Sequence, residues 1–168
     1  LSAIQGVVAG RTPVSRKIDD KMSFHVIRDD KGRVGVKYKG SGSKYSFSDK
    51  EVDAQHGEKP YIAGPLKTLL HHVGKVLPDH PGEYQGGYLS GPEDRTEKDG
   101  KISHRPNTIE YSVDKDSPEG KKLANSKVST VIHSELVGPN REAVPVTDLS
   151  EFKQHPDVHM VSHVVSND

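Results

Sequence analysis

Valine supplies nineteen of the thirty-eight Leu, Ile, Val and Phe residues from which this 168-residue chain can build a core. β-Branched side chains are stiff at χ1 and pack best on pleated surfaces, so the bias favours sheet over helix. The placing of the apolar residues agrees. Phe24 and Val26 alternate with polar neighbours, as do Val34, Val36 and Tyr38, and Asp29-Asp30-Lys31-Gly32 separates the two runs. That pattern predicts a β-hairpin with a Gly-bearing turn.

The core set is thin. Thirty-eight residues are about 23% of the chain, just above the roughly 20% that signals disorder when net charge is also high. Here 24 basic residues balance 24 acidic ones, so the composition predicts a folded but core-poor domain with long polar loops. The length suits one domain, 1–168, and not two. Balanced charge supplies no overall field for a phosphate backbone, so any nucleic-acid contact has to be a local patch. The absence of cysteine excludes disulfide scaffolds, thiolate metal sites and a cysteine nucleophile. No apolar run approaches the roughly 20 residues of a membrane span, so no membrane partner is expected. Leu1 is not an initiator Met and LSAIQGVVAG is too short for a signal peptide, which reads as a processed chain or an excerpt of a longer one.

One helix stands out beyond the hairpin. Pro65 suits a first helical position, Leu66, Leu69, Leu70, Val73, Val76 and Leu77 follow at helical spacing, and Pro78 stops the run. Residues 48–60 and 91–101 are polar without periodicity and read as loops. Glu83 to Leu89, Asn107 to Val113, Val128 to Leu136 and Val158 to Val165 read as strands. Ser117-Pro118-Glu119 carries a hydroxyl cap, a Pro and an acid in the order of a helix start, with an end near Asn125. Pairs of strands joined by short loops favour antiparallel pairing, so the expected class is α+β: mainly antiparallel sheets with one or two helices.

The short polar motifs have plain readings. Gly40-Ser41-Gly42-Ser43-Lys44 has neither the spacing nor the following helix of a phosphate-binding loop and reads as a turn. His155, His159 and His163 stand four apart, but the valines between them favour a strand, on which only His159 and His163 share a face. No metal site is expected there. His71 and His72 read as surface residues on the helix.

A further set of blocks carries a resemblance. Lys17-Ile18-Asp19-Asp20 opens the first hairpin, and Gly35-Val36-Lys37 lies on its second strand. Gln85-Gly86-Gly87 follows the helix, then Pro106-Asn107-Thr108-Ile109-Glu110-Tyr111, Ser117-Pro118-Glu119-Gly120 and Val131-Ile132-His133. In order and spacing these blocks resemble a tailed-bacteriophage protein family that is similar to ATP-dependent DNA and RNA ligase-type nucleotidyltransferases, over residues 12–138. The resemblance implies a ligase-like, ATP-grasp-like core at 12–138, short for the family and so read as truncated, with 1–11 as an N-terminal arm and 139–168 as a C-terminal turn and strand. It implies that Lys17 is the nucleophile that takes AMP from ATP, with Asp19 orienting it. Lys37 would hold a phosphate, Glu83 would stand for the family's acid, and Tyr111 would wall the base.

The chain also departs from the family pattern. Asp20 replaces the motif glycine, Gly87 stands where the family has its acid, and the later E-G-x-[VI] and K-x-K motifs are absent. A lysine with an ordinary pKa near 10.4 is about 0.04% neutral at pH 7, and attack on a phosphorus requires its pKa to fall by roughly three units. A second carboxylate at Asp20 works against that. The resemblance therefore implies a degenerate nucleotidyltransferase with nucleotide binding, using ATP and Mg²⁺ if active. Its partners would be nucleotide or nucleic acid, and its location the virion or the infected host's cytoplasm. A second reading is a virion structural or accessory protein, bound to other virion proteins, that uses the fold as a scaffold. A third is an unrelated polar β-rich adaptor.

Overall fold

A computed structural model describes residues 21–40, 42–106 and 110–161. Lys17, Asp19, Asp20, the proposed N-terminal arm, Asn107 to Ile109 and His163 lie outside the described residues.

The expected hairpin is present: β1 (Met22–Arg28) pairs antiparallel with β2 (Val34–Tyr38). Its turn is held by Asp29, whose carboxylate accepts the backbone N–H groups of Lys31 and Arg33. Two helices follow, α1 (Asp49–His56) and α2 (Pro60–His72), and then β3 (Gly82–Ser90). A small sheet comes next, from β4 (Arg95–Lys98), β5 (Lys101–His104) and β6 (Tyr111–Asp114), with α3 (Pro118–Asn125) after it. The chain closes with β7 (Val128–Val137), β8 (Glu142–Pro145) and β9 (Val158–Val161). The main sheet runs β2-β1-β3-β7-β8, and β9 pairs parallel with the start of β7, at residues 128–131, where β8 does not reach. All other pairings named are antiparallel, so the class is α+β as expected.

Side chains alternate across a strand. Phe24, Val26, Val36, Tyr84 and Tyr88 therefore share one face of the main sheet, and they are buried against Ile62, Leu66, Leu69, Val73 and Leu77 of the helical layer. Thr130, Val131 and Ile132 are buried along β7, and the register of β3 on β7 shifts at Gln85/Gly86. A Cβ at Gly86 would stand 2.1 Å from the carbonyl oxygen of Val131. Only glycine lets β7 approach β3 that closely at the bulge.

Several polar stretches are more ordered than their composition suggests. Residues 49–56, expected as loop, form α1: Ser48 Oγ accepts the Glu51 N–H at 3.2 Å, and the Glu51 carboxylate accepts the Phe47 N–H at 2.9 Å. Val52 is the one buried residue in that helix, too little apolar sequence for periodicity to register. Helix α2 begins at Pro60 and not at Pro65, which is buried within it. The 91–101 stretch is also not a plain loop, since β4 and β5 pair through Asp99-Gly100, both at positive φ. An Asp-Gly pair is the preferred two-residue hairpin turn, because both positions of a type I′ turn require the left-handed region. Strand β8 was not expected either, and all four of its residues are exposed.

Candidate functional site

The face of the main sheet away from the helices carries the polar residues that matter. His25 stands opposite Lys37 on one side and Gln85 on the other, and Ile27 stands opposite Gly35 and Glu83. The alternation that buries Phe24 and Val26 thus turns Lys37, His25 and Glu83 to this open face together. A bridge between Val36 and Ser46 brings the 45–47 segment alongside β2, so Tyr45 and Phe47 lie over the same face.

Glu83 is the hub. The Tyr45 hydroxyl donates to its carboxylate, and Arg141 from the β7–β8 turn donates from Nε to Oε1 at 2.8 Å and from Nη2 to the second oxygen. Burial opposes the charge on Glu83, but these bonds from Arg141 and Tyr45 outweigh it and hold the carboxyl below its usual range. Burial and the bond to Glu83 push the Tyr45 phenol well above its usual range. Lys37 Nζ lies 5.0 Å from the centroid of the Tyr45 ring, a cation–π distance. Its pKa is lowered, chiefly by burial and then by Arg141. His25 Nε2 is buried with no hydrogen-bond partner, and burial, Lys37 and Arg141 bring the ring down to about 4. Neutral His25 is thus enclosed by two cations and one carboxylate whose oxygens already accept from Tyr45 and Arg141. Such a set leaves a positive excess and suits an incoming anion.

The residues suggested by the sequence therefore separate. Lys37 and Glu83 come together, while Tyr111 lies on β6 in the small sheet and lines a different cavity, its ring centroid 6.0 Å from that of His104. Sequence reasoning missed Tyr45, His25 and Arg141, because only the β1–β3 pairing and the distant β7–β8 turn bring them to Glu83. Gly42 stands at φ 79°, the Ser43 N–H donates to the Gly40 carbonyl at 3.3 Å, and the Lys44 N–H donates to Gln55.

A second polar cluster sits where β3, β7 and β9 meet the small sheet. His159 is buried, its Nδ1 2.8 Å from Ser129 Oγ and its Nε2 bonded to Glu119 on α3. His104 Nδ1 lies 2.6 Å from Ser90 Oγ, and Arg95 Nε donates to the same hydroxyl at 3.2 Å. The Ser90 hydroxyl thus joins the His104 ring to the Arg95 guanidinium. The Ser129–His159–Glu119 series has the residue types of a nucleophilic triad, but Ser129 is completely buried and has no path to a substrate. No group of three metal-capable side chains occurs among the described residues.

Residues 34–167 match a family of unknown function, DUF6267. The chain belongs to that family. The matched stretch contains Lys37, Tyr45, Glu83, Tyr111, Arg141 and the whole of the second cluster, and it begins downstream of Lys17, Asp19 and His25. No curated protein and no solved structure matches the chain. Among the described residues no helix is long and apolar enough to cross a membrane.

Proposed function

We propose that the open face around Glu83 is the nucleotide site of a degenerate, phage-encoded ligase-like nucleotidyltransferase domain, which binds ATP without completing the transfer. The observation that carries this reading is Lys37: a half-buried ammonium with no carboxylate partner among the described residues, beside Arg141 on a sheet face. Lys37, beside an Arg141 whose charge is already matched by Glu83, suits a phosphate, and the Tyr45 ring next to it offers a surface for a base or ribose. Glu83 supports binding over catalysis, because its oxygens are engaged by Tyr45 and Arg141 and are not free to hold Mg²⁺. Lys17 and Asp19 stay in this reading as the nucleophile and its orienting acid, as the resemblance implies.

Titration calorimetry with ATP and Mg²⁺ tests the binding. Wild type binds, and Lys37→Ala weakens binding about tenfold, the worth of one charge-assisted contact. Tyr111→Ala leaves it unchanged. Failure of wild type to bind ATP would sink this reading. Incubation with α-labelled ATP tests the chemistry separately: an acid-labile protein label that disappears in Lys17→Ala would mean the domain is not degenerate.

The same locked Glu83 favours one alternative, a virion structural protein in which the Tyr45–Glu83–Arg141 set serves only to tie the β7–β8 turn to the sheet. On that reading wild type binds no nucleotide, Lys37→Ala changes nothing, and the protein cosediments with purified particles.

A further inference from the structure

A cavity lies away from the open face, between α3 and the segment from Leu149 to Met160, with a volume of about 400 Å³. That volume falls within the range of small-molecule sites. We infer that it binds a small anion carried on an apolar or aromatic body, and the inference is independent of the nucleotide reading above.

The walls specify both halves of such a ligand. Leu149, Phe152, Val158 and Met160 form the apolar part. Phe152 is fixed from behind, its ring 5.2 Å from that of Tyr84 in an edge-to-face contact. The charged part is cationic. Lys122 on α3 lines the cavity and has no acidic partner among the described residues. Lys153 lines it from the other side, and its backbone N–H is held by the Val76 carbonyl at 2.8 Å. The ion pair of Lys153 is with Asp79, whose side chain is 83% exposed, a weak pair that a better-placed anion displaces.

Among the described residues the lining holds one carboxylate, Glu119, against these two ammonium groups, so one positive charge is left over. Glu119 accepts from His159, whose ring is held on its other side by Ser129 and is 6% exposed. Glu119 and His159 together form the partition from a smaller cavity of about 160 Å³, which is otherwise lined mostly by apolar side chains such as Leu89, Leu123 and Val161. A ligand therefore meets apolar side chains, the Glu119–His159 partition, and lysine side chains from two sides. Neutral molecules of the same shape forgo both charge-assisted bonds. A carboxylate and a phosphate monoester satisfy the lysines equally, and the test separates them.

The whole chain is titrated by calorimetry with 4-phenylbutyrate, phenyl phosphate and the neutral 4-phenylbutanamide, with amide ¹⁵N–¹H shifts followed in parallel. At least one anion binds, with shifts at residues 119–123 and 149–160, and the amide binds about tenfold more weakly or not at all. Lys122→Ala, at an exposed helix position that leaves the fold intact, weakens the anion about fivefold or more. The stronger of the two anions identifies the head group. The inference is overturned if neither anion binds, if the amide binds as tightly, or if Lys122→Ala has no effect. Shifts confined to residues 25–45 would assign the anion to the open face and overturn it as well.

Discussion

The Tyr45 hydroxyl and the Arg141 guanidinium meet on one carboxylate, and the consequence at the scale of single residues is that Glu83 is a structural hub before it is a ligand. The histidines give this scale its clearest pH signature. Burial, Arg95 and His159 bring the His104 ring from 6.5 to about 4. In the unfolded chain it titrates near 6.5, so as pH falls the unfolded state takes up the proton first. The stabilisation from neutral His104 is therefore complete above about pH 6.5 and is lost between 6.5 and 4, by about 3 kcal/mol. His25 is lowered in the same direction and adds to the loss. Urea midpoints measured from pH 7.5 to 4 are expected to fall steeply over that window, and His104→Asn to flatten part of the slope. A level profile in wild type would contradict the burial of both rings. Gly86 is the second test at this scale: Gly86→Ala places a methyl against the Val131 carbonyl and is expected to cost about 2–3 kcal/mol in denaturant unfolding, since β7 has to move away.

Individual elements are joined by side chains that reach backbone carbonyls. Arg28 at the end of β1 donates to the carbonyls of Pro78 at 2.8 Å, Gly74 at 3.0 Å and Gly32 at 3.1 Å, so one guanidinium holds the end of the helical layer to the first hairpin. Arg95 does the same for α3, donating to the carbonyls of Leu123 and Ser126. Lysine cannot copy this geometry, because a single ammonium reaches fewer directions than a planar fork. Arg28→Lys is expected to lower stability by about 2 kcal/mol in thermal or urea unfolding, and an unchanged midpoint would show that those carbonyls are served equally well without the fork.

In the whole molecule, the small sheet and α3 are an insertion between β3 and β7, two strands that are neighbours in the main sheet. β8 and β9 lie end to end along the other edge of β7. The 146–157 connection between them sends Phe152 into the core against Tyr84. A separate C-terminal appendage would not reach the core in this way. Phe152→Ala is therefore expected to cost about 3–5 kcal/mol and to lower the stability of the entire domain in a single transition. Hydrogen exchange that loosens only residues 146–161 in the variant, with the rest unchanged, would show instead that the C-terminal segment folds apart.

The sequence by itself determined those elements whose residues interact with near neighbours: the first hairpin around its Asp-Gly-bearing turn, the Leu-rich part of α2, α3 behind its Ser117 cap, and β7. Each is encoded by local periodicity or by a cap, and each is present. Lys37 and Glu83 lie on strands that the sequence pattern shows, but no local signal says that the two meet. Helix α1 and β8 were not legible, because one buried Val52 and four exposed residues produce no periodic signal. The β4–β5 turn was legible in Asp99-Gly100 but was outweighed by the charge of its flanks. Tertiary structure alone decided what surrounds Glu83 and His159. Arg141 is 58 residues from Glu83, and Glu119 is 40 from His159. No local propensity encodes such pairs: strand register and the closing of the sheet by β7, β8 and β9 bring them together, after the apolar faces have found each other.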